Sequence, residues 1–137
     1  MQLKGGKTMK KLFVSVPMKG RTEAEIKESI SKMKQIAEIY EGEELELIDS
    51  YIEHTPPQNI NKAIWYLVES LKKLSEADVF ITIDDSWEWN GCEIETQAAR
   101  RYGIKQHYVL ASSVIPNYQE LIRSKYKELQ AVAPSEC

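Results

Sequence analysis

The stretch VFITIDDSWEWNGCEIE, residues 79–95, decides the fold. Val79 to Ile83 are all β-branched or aromatic, with Thr82 the one polar member. Such a run suits a strand covered on both faces, as in an α/β protein. It ends in Asp84, Asp85, Trp87 and Trp89 instead of an ordinary turn, a composition suited to the floor of a small-molecule site. Asn90 is placed to cap the next helix, and Glu93, three residues on, completes capping-box spacing. Helical spacing then brings Gly91, Glu95, Ala98, Ala99 and Tyr102 to or near one side. With the two alanines packed on the sheet, Glu95 points inward beside the strand's carboxyl end. Partial burial and the helix N-terminus would pull its pKa in opposite directions there.

Working outward, Lys11 to Val16 reads as a first strand, followed by the loop Pro17-Met18-Lys19-Gly20-Arg21. Thr22 and Glu25 have capping-box spacing, and Ile26, Ile30, Met33, Ala37 and Tyr40 form the apolar stripe of a helix that Gly42 stops. Leu45 to Ile48 is a short candidate strand, and Tyr51 to Pro57 is loop-like. Thr55, Pro56 and Gln58 predict a helix start, continued by Ile60, Ile64, Leu67, Leu71 and Leu74. A last strand is expected at His107 to Leu110, with a helix from about Pro116 to Gln130. This alternation predicts a single-domain α/β fold, a doubly wound parallel sheet of four to five strands, flavodoxin-like or Rossmann-like, with strand order 2-1-3-4. The domain is expected to span residues 10–131, with a flexible leader at 1–9 and a C-terminal tail at 132–137.

Eighteen basic and 21 acidic residues in 137 give a net charge of −3, without a basic block, so nucleic acid is not an expected partner. There is no membrane-length apolar run and no recognisable signal peptide, so no membrane partner is expected. Cys92 and Cys137 lack metal spacing, Cys92 reads as an inert apolar residue near a helix start, and a reducing cytoplasmic setting follows. No metal or other cofactor is expected. His54 and His107 lie on separate segments with no reason to pair.

In a doubly wound sheet, ligands bind beyond the carboxyl ends of the strands where connections diverge. The loops 17–21 and 84–90 fall there and converge if the first and third strands are neighbours. Lys19 and Arg21, flanking Gly20 before a helix, are compatible with an anion such as a 5′-phosphate. Asp84 and Asp85 suit either a turn or proton transfer.

KLFVSVPMKGR near the start, and AD followed by the apolar strand, tryptophan, GCEIE and an alanine-containing helix, resemble the nucleoside 2-deoxyribosyltransferase superfamily, especially its small phage and bacterial members. The resemblance runs from about Lys11 to Val109. It implies that Glu95, four residues after Gly91, is a nucleophile attacking C1′ of a 2′-deoxynucleoside or its monophosphate, with Asp84 or Asp85 assisting catalysis. With the sheet-edge loops it gives an expected substrate site of Phe13, Ser15, Pro17, Met18, Lys19, Gly20, Arg21, Trp87, Trp89, Asn90 and Gly91, and the resemblance implies a homo-oligomer, dimer or larger. Water as acceptor would give hydrolysis and a second base would give transfer. The chain departs from the transferase pattern at Phe13, where a tyrosine orients the nucleophile, at Val16, where a glycine precedes the proline, and at Trp89, where an aspartate is common. A nucleotide-binding module without catalysis, or an oligomeric interaction protein with its tryptophans at a subunit contact, are the alternatives.

Overall fold

The computed structural model describes residues 8–131, so the expected tail at 132–137 and most of the expected leader lie outside the described residues. The chain runs β1 (Lys11–Ser15), α1 (Glu23–Glu41), β2 (Glu46–Leu47), α2 (Lys62–Leu74), β3 (Val79–Ile83), a 3-10 turn (Ser86–Glu88), α3 (Asn90–Arg101), β4 (Lys105–Val109), α4 (Ala111–Val114) and α5 (Tyr118–Ala131). The four strands form one parallel sheet in the order β2-β1-β3-β4. This is the doubly wound, flavodoxin-like or Rossmann-like α/β arrangement that the alternation of apolar runs predicts. In the β1–β3 register Phe13 lies opposite Phe80, and Ser15 opposite Thr82.

Period-two alternation sends successive side chains of each strand to opposite faces. Leu12, Val14, Ile81 and Ile83 pack with Met33 and Ala37 of α1, Val114 of α4 and Tyr118 of α5. Phe13 and Phe80 pack on the other face with Leu74 of α2 and Ala99 of α3. All five residues of β3 are buried, as a central strand covered on both faces requires. Each fully buried apolar side chain stabilises the fold by about 1.5–3 kcal/mol.

The helix ends show which local signals prevail. Thr22 and Glu25 form the expected reciprocal capping box, and Gly42 ends α1 in the left-handed conformation, with its N–H bonded to Glu38. By contrast, α2 does not start at Thr55 and Pro56. Asn59 has φ 64°, a left-handed residue that interrupts helical continuity, and the side chain of Asn61 caps the N–H of Ile64. Nor does Asn90 cap α3. The preceding 3-10 turn delivers the chain so that Trp89 holds the extended N-cap position, Asn90 is already helical, and no side-chain cap bond forms. Glu93 instead accepts from the Gln97 side chain. The helix expected from about Pro116 to Gln130 forms as α5, starting at Tyr118 after Asn117 turns the chain with φ 57°, and the short α4 precedes it in a stretch for which the sequence predicts no helix. No helix among the described residues is long and apolar enough to cross a membrane.

Candidate active site

Because β1 lies beside β3, the loops leaving them meet at the carboxyl edge of the sheet, where one connection passes to the α1 face and the next to the α2–α3 face. Ser15 closes β1 on the α2–α3 face. Ala99 of α3 packs on that face, and one turn earlier the same side of α3 delivers Glu95. The Ser15 hydroxyl donates to Glu95 Oε1 at 2.6 Å, and the Ser70 hydroxyl of α2 donates to Oε2 at 2.5 Å. These lengths fit hydroxyl bonds to a charged carboxylate. Glu95 is half-buried and Ser15 is buried. Burial raises the Glu95 pKa above the usual carboxylate range, while the two serine hydroxyls oppose the rise by stabilising the charged form.

Two further groups lie next to Ser15. Cys92, one turn before Glu95 on α3, is buried, and that burial pushes its thiol up to about 12; Ser15 opposes the shift and Glu95 adds to it. The thiol therefore stays protonated and is not a nucleophile at neutral pH. Thr82, the register partner of Ser15 on β3, is fully buried, and its hydroxyl has no hydrogen-bond partner among the described residues.

The acids and tryptophans of the second loop take separate roles. Asp84 Oδ1 accepts from the backbone N–H of Ala111 at 3.0 Å, fastening the start of α4. Asp85 Oδ2 accepts from the Tyr118 hydroxyl at 2.8 Å, and that hydroxyl in turn accepts from Trp89 Nε1 at 3.1 Å. Trp89 thus belongs to the core, only 7% exposed, whereas Trp87 is 65% exposed. Lys125 of α5 donates to the Glu88 carbonyl and lies 5.1 Å from the Trp89 ring centroid, while the Tyr126 hydroxyl donates to the Glu88 carboxylate. The α5 helix consequently clamps the loop that leads to Glu95. Asn90 and Gly91 are exposed at the start of α3.

In the first loop Phe13 and Pro17 are buried, and Phe13 stacks on Phe80 with ring centroids 6.0 Å apart. Phe13 thus fills the core beneath the site. Met18 and Lys19 are exposed, and Gly20 takes the left-handed φ of 79° that lets the chain turn into α1. Arg21 folds back. Its guanidinium donates to the Pro17 carbonyl at 3.0 Å and to the Ser29 hydroxyl at 2.6 Å, and Ser29 donates onward to the Val114 carbonyl. Lys19 pairs with Glu128 at 3.1 Å, an exposed contact worth about 0–1 kcal/mol. The capping box already satisfies the N–H groups of Thr22 and Glu25. An anion at this loop would have to displace these partners.

Ser70 is the site residue that sequence reasoning missed. It lies 25 residues before Glu95 on a different helix, and no local pattern marks it. Two surface hollows lie apart from this carboxylate. One of about 320 Å³ is lined by Val14, Lys27, Ile30, Lys34 and Leu47, and one of about 220 Å³ by Tyr51, His54, Glu69, Lys72 and Glu76. Glu95 lines neither hollow. Among the described residues, no three His, Cys, Asp or Glu side chains gather closely enough to hold a metal ion. Comparison with known proteins finds no matching family model, no matching curated protein and no matching solved structure.

Proposed function

We propose that the protein cleaves or transfers the N-glycosidic bond of a 2′-deoxynucleoside or deoxynucleoside monophosphate, with Glu95 as the nucleophile. The observation that carries this reading is the Glu95 carboxylate at the sheet's carboxyl edge, held by one hydroxyl on each oxygen. A carboxylate suits the reaction because the transition state places positive, oxocarbenium-like charge on the sugar. An electron pair from Glu95 forms a bond to C1′, and the C1′–N bond breaks with its pair leaving on the base, which gains a proton from solvent. Water or a second base then attacks C1′ and returns the carboxylate. A 5′-phosphate, if present, would recruit Lys19 from its weak pairing with Glu128, while Arg21 stays committed to the loop. The resemblance to nucleoside 2-deoxyribosyltransferases supports the same assignment and adds a homo-oligomer.

The test is a panel of deoxynucleosides and their monophosphates incubated with wild type and Glu95→Ala, with free base separated by chromatography. Wild type should release base from at least one member, and Glu95→Ala should lower that rate by about 10²-fold or more. Equal release by the two proteins would remove Glu95 from the chemistry.

A nucleotide-binding module without catalysis is the second reading. It is favoured by the engagement of Asp84 with α4 and of Asp85 with Tyr118, which takes the two nearby aspartates away from protonating a leaving base. Calorimetric binding without base release across the panel would select it.

A further inference from the structure

The two hydroxyls on Glu95 are not equivalent. Ser15 is 2% exposed, lies on a central strand and holds Oε1 against the sheet. Ser70 is half-buried on α2, a helix whose one fully buried residue is Leu74, and it holds Oε2. An ionised carboxylate has about four lone-pair sites, so each oxygen keeps acceptor capacity after taking one hydroxyl. Oε1 thus faces β1, and Oε2 faces α2.

Resting on the nucleophile reading of Glu95, we propose that Ser15 and Ser70 are its positioning residues, with Ser15 fixing the carboxylate through Oε1 and Oε2 being the oxygen that attacks C1′. As the bond to C1′ forms, Oε2 gives up its charge and the Ser70 hydrogen bond weakens. Oε1 becomes the ester carbonyl and keeps Ser15 throughout. In the second step the entering water loses a proton to solvent, the Oε2–C1′ bond breaks with its electron pair returning to Oε2, and the Ser70 hydrogen bond is restored. Phe13 sits in the core against Phe80, and the strand supplies its donor two residues later, from Ser15.

The two serines therefore have different expected effects. Ser15 holds Glu95 in every state, so its loss should lower kcat. Ser70 favours the charged resting carboxylate over the transition state while also orienting Oε2, so its loss should lower kcat by less than the loss of Ser15 does. Both donate to the charged form, so removal of either should raise the carboxyl pKa. Cys92 is the titratable neighbour coupled to Glu95, and its thiol stays neutral across the working range.

The experiment joins a titration of protein carrying 13C-labelled glutamate carboxyls, with Glu95→Gln assigning the resonance, to pH profiles of base release. Ser15→Ala and Ser70→Ala should each move the Glu95 midpoint upward. Ser15→Ala should lower kcat about tenfold or more and shift the acid limb of its profile up, with Ser15→Thr restoring both, whereas Ser70→Ala should shift the same limb up with a clearly smaller loss of kcat. The reverse order, with the larger loss of kcat in Ser70→Ala, would assign attack to Oε1 and overturn the proposal. Unmoved carboxyl midpoints in both variants would remove the clamp itself. Shifted midpoints with no base release by any form would keep the clamp and reject the nucleophile reading, together with the Oε2 assignment.

Discussion

At the scale of single residues, the two tryptophans of the 84–90 loop have separated roles. Trp89 is core, bonded through Nε1 to Tyr118, and replacing it would disturb packing more than binding. Trp87 is exposed, so of the two it is the indole accessible to the base of the proposed substrate. Titration with a bound deoxynucleoside should change tryptophan emission in wild type. Trp87→Ala should abolish most of that change and weaken binding by about 1–3 kcal/mol, the usual worth of base–aromatic stacking. An unchanged response in Trp87→Ala, arising from Trp65 or Trp89, would place the base elsewhere. The inward turn of Glu95 was legible in the sequence, because its spacing from Gly91 and from the packed alanines sets one helix face. Its hydroxyl partners were not legible, since Ser15 and Ser70 reach it across 80 and 25 residues of chain.

At the scale of elements, the 84–89 loop is held less by its own turn than by α5. The Tyr118 hydroxyl serves two partners at once, donating to Asp85 and accepting from Trp89. Tyr118→Phe would keep the ring in the core but strand both groups, at a cost of about 1–3 kcal/mol. Urea unfolding should show that loss as a lower midpoint with an unchanged slope. An unchanged midpoint would mean that the loop finds other partners and that α5 does not hold it. The strands were readable because β-branched and aromatic runs have few other uses in a small domain. Helix starts were readable only where the cap had no competitor. Thr22 and Glu25 bond each other as their spacing indicates, whereas Glu93 turns to Gln97 and Asn90 is already inside α3. Thr55 and Pro56 carry a start signal that the left-handed Asn59 cancels, leaving Asn61 as the cap.

At the scale of the whole molecule, the sheet order joins these parts by placing the ends of β1 and β3 side by side, and α2 and α3 bring Ser70 and Glu95 over that junction. The outer side of these helices leaves Ile64, Val68 and Ile94 exposed, with Trp87 exposed on the adjoining loop. Ile64 and Val68, four residues apart, share one face of α2. Burial of that face between copies is the form of self-association this account expects. Sedimentation at micromolar concentration should give a species heavier than the 15.8 kDa chain, and Ile64→Lys with Val68→Lys should return it to the monomer. Monomer alone, with and without a deoxynucleoside, would contradict the expectation.

The proposed bond between the Glu95 carboxylate and the sugar is a covalent ester that acid quenching would trap. Its most direct measurement is intact and peptide mass spectrometry of protein quenched in acid during turnover of whichever panel member releases base. The expected result is a gain of one deoxyribosyl unit, phosphorylated if the substrate is a monophosphate, located on the peptide containing Glu95 and missing from Glu95→Gln. A deoxyribosyl adduct on another residue, or base release undiminished in Glu95→Gln with no adduct at Glu95, would contradict it.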